Sequence, residues 1–139
     1  MKLIYPKFGE ALWGSSAESM ATADLRVVLL TNAYTYSAAH EFMTDLPADA
    51  AAGRVALSPT GLASVSFTSG VLDAADYQFS AVSGSTVQRV VVAALSSSGE
   101  SASRLIYYSD ENAAGSALSV VPTGGTFTVT IANLATIGG

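Results

Sequence analysis

This chain of 139 residues contains no cysteine, a single histidine (His40) and no lysine beyond Lys7. Nucleophilic catalysis, general acid–base catalysis and soft-metal binding depend on side chains of these kinds. Only 12% of the residues are charged, whereas 50% are hydrophobic. The composition therefore argues against an enzyme and predicts a protein that acts through its surfaces.

The absence of cysteine excludes a disulfide framework and fits synthesis in a reducing cytoplasm. Zinc, haem and iron–sulfur sites lack their usual ligands in this sequence. The glycine-rich patterns G-x-x-x-x-G-K-[ST] and G-x-G-x-x-G, which cradle phosphates, do not occur. We therefore expect no metal ion and no cofactor.

Positive charge is sparse in a chain whose net charge is −5. The cations beyond Lys2 and Lys7 are Arg26, Arg54, Arg89 and Arg104. Nucleic-acid-binding surfaces need several lysines or arginines on one face, because each neutralised phosphate adds binding energy through counterion release. We expect no nucleic-acid partner. We also expect no membrane partner, because no apolar run approaches the ~18 residues of a membrane helix and the apolar start is too short for a signal peptide.

Aromatic residues recur near the N-terminus at the spacing of one face of an α-helix. This face consists of Tyr5, Phe8, Leu12 and Trp13. Pro6 suits a first helical turn and Gly14 suits a helix end, so we predict a short helix or arm within residues 1–16. With Lys2 and Lys7, the aromatic face forms either a docking arm for a partner or a cap on the protein's own core.

Beyond residue 16 the apolar residues alternate with the period of two that is typical of β-strands. The predicted strands are Leu25–Thr31, Arg54–Leu57, Ala63–Thr68, Tyr77–Phe79, Val87–Leu95, Leu105–Tyr108 and a last hairpin of Leu118–Val121 with Thr126–Ile131. We expect Leu25–Thr31 to be buried on both faces, and Ala63 to point inward. Val87–Leu95 should lie centrally in its sheet, near Leu105–Tyr108. Many short strands favour a mainly β fold, a β-sandwich or jelly-roll-like barrel, in a single domain of residues 1–139.

A long connection, residues 32–47, follows the first strand. Ser37–Phe42 is predicted to form one helical turn capped by its serine. Tyr34 and Tyr36 either contribute to a protein or sugar interface, where aromatic residues are favoured, or fold back onto the sheet edge. His40 is expected to form a hydrogen bond within the loop or to lie at an interface. A catalytic role is disfavoured because no G-x-S-x-G elbow is present.

Carboxylates are paired at Asp73 and Asp76. Glycosidases use two carboxylates at a defined separation, but aspartates at such positions more often form hydrogen bonds in turns. Calcium could use these two residues or Asp110–Asn112, although neither set has the spacing of a calcium-binding loop. We expect Asp73 and Asp76 to form turn hydrogen bonds that lead into the strand Tyr77–Phe79.

Serine and threonine, not lysine and glutamate, occupy the outward positions of the alternating strands. Soluble monomers usually protect their sheet edges with charge. We favour an oligomer or lattice protein whose edges are covered by neighbouring subunits. The alternative is a compact monomer with a hydroxyl-rich surface.

Two blocks of the sequence share an unusual pattern. Tyr34–Pro47 (YTYSAAHEFMTDLP) follows Y-x(4–6)-H-[DE]-F-[LM]-x-D-[IL]-P, and Gly70–Gly84 (GVLDAADYQFSAVSG) is close to G-V-x-D-A-D-D-x-x-F-x-A-V-S-G. These blocks, the N-terminal Tyr5–Phe8 and the turn Thr123–Gly125 resemble a family of small virion proteins of tailed bacteriophages. The likeness covers about residues 5–131.

The resemblance implies a non-enzymatic structural protein of the phage particle, made in the host cytoplasm. Members of this family are head decoration (cement) proteins or tail-fibre-like proteins. The interpretation that we favour is a decoration protein on the outer surface of the head, which binds the major capsid protein and forms a dimer or trimer with itself. The alternative is a tail-associated receptor-binding or fibre-type protein. The residues 132–139 depart from the aromatic or charged end that is usual in the family. The candidate interface residues are Lys2, Tyr5, Lys7, Phe8, Trp13, Tyr34, Tyr36 and His40.

Overall fold

The computed structural model describes residues 2–13, 24–68, 71–112, 115–129 and 135–136, and these form one short helix and ten β-strands. The helix α1 spans Pro6–Trp13, and the strands are β1 Lys2–Ile4, β2 Asp24–Leu30, β3 Arg54–Leu57, β4 Ser66–Thr68, β5 Val71–Asp73, β6 Tyr77–Phe79, β7 Arg89–Leu95, β8 Arg104–Ser109, β9 Phe127–Val129 and β10 Ala135–Thr136. A mainly β fold with a short N-terminal helix is thus confirmed. Predictions that concern Gly14–Ser16, Gly70 and the residues 130–134 and 137–139 lie outside the described residues.

The helix α1 begins at Pro6, as predicted. Proline suits this position because its ring fixes φ near the helical value and the first turn needs no N–H donor. Tyr5, Phe8 and Ala11 are 0%, 2% and 7% exposed, and their spacing of three residues places them on one face. The helix therefore turns this face toward the protein's own core, next to β8.

The largest sheet has five antiparallel strands in the order β1-β8-β7-β2-β3. All residues of β2 pair with β7, from Asp24 opposite Leu95 to Leu30 opposite Arg89. The central position of β7 and the neighbouring position of β8 are confirmed. In β2 the consecutive residues 27–30 are all buried. Because successive side chains of a strand point to opposite faces, both faces of this sheet are covered at its centre.

The smaller sheets are β10-β5-β4 and β6-β9, and both are antiparallel. Phe79 of β6 is buried, and its ring centroid lies 6.4 Å from that of Phe127 on β9. Tyr77, Phe127 and Val129 pack against the same hydrophobic cluster that the five-stranded sheet forms. Residues of β6 and β9 thus share one core with the large sheet, as in a sandwich-like packing.

Two strand predictions are wrong. The expected hairpin of Leu118–Val121 with Thr126–Ile131 does not form, because Val120 pairs with Val87 and β9 pairs with β6. The other error concerns Ala63, which is exposed and precedes β4. The hairpin prediction fails because alternation predicts a strand but carries no information about its partner. The prediction for Ala63 fails because the strand is shorter than the alternating pattern.

The outer edge of β8 is covered by two segments from elsewhere in the chain. β1 pairs with the last part of β8, and the N–H of Tyr5 extends this pairing by donating to the carbonyl oxygen of Ile106 at 2.9 Å. Near the start of β8, the N–H of Leu105 donates to the carbonyl oxygen of Glu41 at 2.9 Å. This edge therefore needs no neighbouring subunit to cover it. The terminal strands of the sheet, β1 and β3, have only three and four residues, and short edge strands limit pairing with other chains.

The helical turn in the connection 32–47 lies further along the chain than predicted. A 3-10 turn spans Met43–Asp45, not Ser37–Phe42. The carboxylate of Asp45 accepts hydrogen bonds from two backbone N–H groups that precede the turn, at 2.8 and 3.1 Å. Ser37 closes a separate tight turn, in which its carbonyl oxygen accepts the N–H of His40 at 3.1 Å.

Candidate interaction surface

A chain of hydrogen bonds joins three of the candidate residues. The hydroxyl oxygens of Tyr5 and Tyr34 lie 2.8 Å apart, and the Tyr34 hydroxyl lies 2.8 Å from Nδ1 of His40. A neutral imidazole can accept at Nδ1. In that state Tyr34 donates to His40 and Tyr5 donates to Tyr34, so both hydroxyl protons have acceptors. His40 therefore bonds within its own loop, which is one of the two roles expected for it.

Two further tyrosines complete an aromatic group, here called the tyrosine cluster: Tyr5, Tyr34, Tyr36 and Tyr108. The ring centroid of Tyr36 lies 5.6 Å from that of Tyr5 and 5.3 Å from that of Tyr108. Tilted rings at such distances attract each other beyond their burial of apolar area. Burial raises the pKa of Tyr34 and of Tyr108 to about 12 and raises the pKa of Tyr5 further. The phenols therefore remain protonated near neutral pH and act as hydrogen-bonding groups.

Burial removes three candidate residues from the accessible surface. Tyr5 and Tyr34 are 0% and 3% exposed, and Phe8 is also buried. Of the two interpretations of the aromatic helix face, the fold matches the one in which it caps the protein's own core. A sugar or protein partner cannot reach Tyr34 in this fold, whereas Tyr36 and His40 are partly exposed. The side chain of Trp13 lies outside the described part of the structure.

The two N-terminal lysines differ in their surroundings. Lys2 is exposed on the edge strand β1. Nζ of Lys7 lies 2.9 Å from a carboxylate oxygen of Glu10, and this hydrogen bond raises the pKa of Lys7. Because this pair is exposed, solvent weakens it. Lys7 is therefore a cation that is paired with Glu10, and Lys2 is the more accessible of the two.

Two arginines that sequence reasoning treated as scattered charges hold the connection 32–47 in place. Arg54 forms two hydrogen bonds with the carboxylate of Glu100, at 2.9 and 3.0 Å, and Nε of Arg54 donates to the carbonyl oxygen of Pro47 at 2.7 Å. Arg104 lies 3.0 Å from the Glu41 carboxylate. The arginine and glutamate of these pairs are 46 and 63 residues apart in sequence. No local sequence signal identifies such pairs.

Aspartates 73 and 76 lie between two small sheets. Asp73 ends β5, and its carboxylate accepts the N–H of Ala74 at 2.8 Å. This is a turn hydrogen bond of the predicted kind. Asp76 is exposed just before β6. Among the residues that the structure describes, no group of three or more His, Cys, Asp or Glu side chains is arranged to hold a metal ion.

The most exposed large apolar side chains among the described residues lie next to each other, and sequence reasoning missed them. Val120 is 40% exposed and Val121 is 67% exposed. The sequence carries a signal that could have identified this region, because no residue after Glu111 is charged. The alternating pattern assigned the two valines to a hairpin instead, in which pairing would have covered them.

Across the described residues, no helix has both the length and the hydropathy to cross a membrane. Comparisons of the chain with protein-family patterns, with curated proteins and with solved structures give no match. The basis for a function is therefore the arrangement of the chain's own residues, together with the resemblance of its two sequence blocks.

Proposed function

We propose that this chain is a non-enzymatic structural subunit of a phage particle, which decorates the outside of the head and stabilises the shell. The main support is that residues of the block Tyr34–Pro47, the first of the two that resemble the phage family, are held in place by hydrogen bonds and an ion pair. Tyr34 bonds to His40, Asp45 caps the turn, and Glu41 pairs with Arg104. The pattern thus has a structural explanation, and no residue in it requires catalysis to account for it.

The surface offers support of a second kind. From residue 115 to residue 129 most described positions are exposed, and none is charged. Two valines project from this region. Exposed apolar residues in an uncharged surround are typical of sites that contact other proteins. A subunit of an assembled particle needs a surface of this type, either toward the shell or toward another copy of itself.

The physical mechanism of decoration is mass action. A protein that binds the assembled shell, and not its separated subunits, stabilises the shell by RT ln(1 + [L]/Kd) for each site. This contribution is about 2.7 kcal/mol when the free concentration is about 100-fold above Kd. Many weak contacts around one shell add up, because an oligomeric subunit that is held at one point rebinds readily at the next.

A second candidate function is a tail-associated protein that binds a receptor. The observation that favours it is the partly exposed ring of Tyr36, which belongs to the same connection as the partly exposed His40. Aromatic rings at such positions stack on sugars and on protein side chains. Tyr34 does not contribute to such a site, since it is 3% exposed.

Co-sedimentation separates the two candidates. The purified chain is mixed with phage heads that were assembled without it, and separately with isolated tails, and each mixture is centrifuged. Decoration predicts saturable binding to heads and a higher temperature of head disruption. Binding to tails alone would favour the receptor-binding role, and binding to neither would overturn the proposal.

A matched pair of variants identifies the ring that a receptor would use. Tyr36→Ala removes the partly exposed ring, and Thr35→Ala alters the exposed neighbouring position. If the chain decorates heads, both variants should bind heads as the parent does. If a glycan-array signal exists and only Tyr36→Ala abolishes it, the tail-associated function is favoured.

A further inference from the structure

We infer that the segment Ser119–Val121 is the surface through which two copies of this chain pair, by antiparallel addition of one segment to the other. This inference deepens the proposed function, because it names the contact that makes the decorating subunit a dimer. It rests on three features of the segment: the direction of its backbone groups, its rigid attachment and its lack of charge.

The backbone of this segment has one bonded side and one open side. The N–H and the carbonyl oxygen of Val120 both bond to Val87, at 3.0 and 2.8 Å. In an antiparallel pair, the residues on either side of such a doubly bonded residue direct their N–H and C=O groups the opposite way. Ser119 and Val121 therefore point their backbone groups away from Val87, and no described residue forms a backbone hydrogen bond with them.

The segment is held in place at both ends. The N–H of Leu118 donates to the carbonyl oxygen of Asp110 at 2.8 Å, and the N–H of Gly124 donates to that of Val82 at 2.7 Å. A segment that is already fixed loses little conformational freedom when a partner binds. Pro122 follows the open edge and has no N–H to donate, so pairing stops there. The contact is short, and we expect a weak dimer.

Charge favours a second copy as the partner. The chain carries a net charge of −5, so most contacts between two copies bring like charges together. The sequence from Asn112 onward has no ionisable side chain. The acidic residues that this region adjoins, Asp110 and Glu111, pair through their backbones with Leu118 and Ala117 and not with Ser119–Val121, so we expect this repulsion to be weaker here. Identical segments that pair antiparallel are related by a two-fold axis, which closes the assembly as a dimer. In this arrangement Val120 of one copy lies opposite Val120 of the other at the axis, and Val121 of each copy lies opposite Ser119 of the other, where pairing covers part of its exposed side chain.

Sedimentation velocity over a wide range of concentrations tests the inference. We expect the parent chain to shift from monomer to dimer as its concentration rises. Val121→Asp should raise the dissociation constant at least about tenfold, because it introduces a carboxylate into each half of the contact, where pairing would remove it from water. Ser97→Asp adds the same charge at an exposed turn between β7 and β8, and should leave the dissociation constant within about twofold.

Amide hydrogen exchange gives a readout specific to strand pairing. The N–H groups of Ser119 and Val121 should exchange rapidly in dilute samples and slowly in concentrated ones, whereas the N–H of Val120 should be protected in both. Circular dichroism of Val121→Asp checks that the variant folds. A parent chain that stays monomeric, an equal effect of Ser97→Asp, or protection that appears elsewhere would each overturn the inference.

Binding to phage heads is measured separately from dimer formation. If the chain dimerises through Val121 but does not bind heads, the pairing surface stands and the decoration role fails. If the chain binds heads but remains a monomer at every concentration, the decoration role stands and the pairing surface fails.

Discussion

The hydroxyl oxygens of Tyr5 and Tyr34 lie 2.8 Å apart inside the core, and this contact ties the residue before α1 to the connection between β2 and β3. Both side chains are almost completely buried. A buried hydroxyl that loses its partner pays a desolvation cost without compensation, so this contact matters more than an equivalent one at the surface. The N-terminal segment and the connection should therefore lose stability together when it is broken.

Replacing Tyr34 with phenylalanine tests this link. Tyr34→Phe deprives both Tyr5 and His40 of their partner, and we expect the free energy of unfolding to fall by about 1–3 kcal/mol. Urea denaturation measures the change. Tyr36→Phe is the matched control, because Tyr36 is partly exposed and contributes ring contacts that phenylalanine retains. Its cost should stay below about 0.5 kcal/mol, and an equal loss in both variants would contradict the role of the hydrogen bond.

The pair of Arg54 and Glu100 should make stability depend on pH. The hydrogen bond from Arg54 lowers the pKa of Glu100 from its ordinary value of 4.5, despite the opposing effect of burial. A carboxyl whose folded pKa is depressed contributes stability above its unfolded pKa, and this contribution disappears as pH falls through the folded pKa. We expect Glu100→Gln to lower the free energy of unfolding by about 1 kcal/mol at neutral pH, because Arg54 loses the negative charge and one acceptor of its partner while the partial exposure of Glu100 screens the pair.

The difference between the parent and Glu100→Gln should shrink as the pH is lowered through and below 4.5, since protonated Glu100 resembles glutamine. Denaturant unfolding at several pH values measures this convergence. Glu10→Gln is the matched control, because Glu10 pairs with Lys7 at an exposed site. It should change stability little at any pH, and a constant gap for Glu100→Gln down to low pH would contradict the linkage.

Gly53 should tolerate a side chain less well than Gly84. Both glycines have positive φ, +121° and +117°, so alanine strains the backbone at either position by about 1–3 kcal/mol. At Gly53 the added Cβ would lie 2.7 Å from Oγ1 of Thr31, whereas nothing lies within 4 Å at Gly84. We expect Gly53→Ala to destabilise the fold more than Gly84→Ala, as measured by thermal unfolding. Equal losses would show that the close approach at Gly53 is relieved without cost.

Truncation should destabilise the fold strongly at Leu29 and hardly at all at Val121. Leu29 is 0% exposed in β2, between β7 and β3, and Leu29→Ala should lower the free energy of unfolding by about 2–5 kcal/mol through lost burial and the cavity left behind. Val121 is 67% exposed, and Val121→Ala should cost less than about 0.5 kcal/mol in dilute solution. Chemical denaturation measures both. A large loss for Val121→Ala would mean that this side chain supports the fold and is not kept for a partner.

Local chemistry explains which parts of the fold were predictable. The aromatic spacing and Pro6 predicted α1, and β-branched runs predicted β2 and β7, because helical and strand periods are properties of neighbouring residues. The predicted hairpin at Leu118–Val121 was wrong because strand pairing is not a property of neighbouring residues. A period of two is the same whether a strand pairs with the next segment or, as Val120 does, with a residue 33 positions earlier, Val87.

For the candidate interface residues as well, local sequence predicted some properties and tertiary packing decided the others. Aromatic type and loop position singled out Tyr34, Tyr36 and His40 but could not tell an inward ring from an outward one. Burial decided this, and it left Tyr36 partly exposed while it enclosed Tyr34. The pairing of Arg104 with Glu41, 63 residues apart, also depends on how distant segments meet.

By itself, the amino-acid sequence determined that this protein is mainly β and has a short amphipathic helix near its N-terminus, because short periods are encoded locally. Composition alone also determined that it has no cysteine and one histidine, two residue types that many catalytic sites use. Only the tertiary structure decided which aromatic residues were enclosed, which strands became partners and where apolar surface remained. Those outcomes depend on contacts between residues far apart in sequence, and they are fixed only when the whole core packs at once.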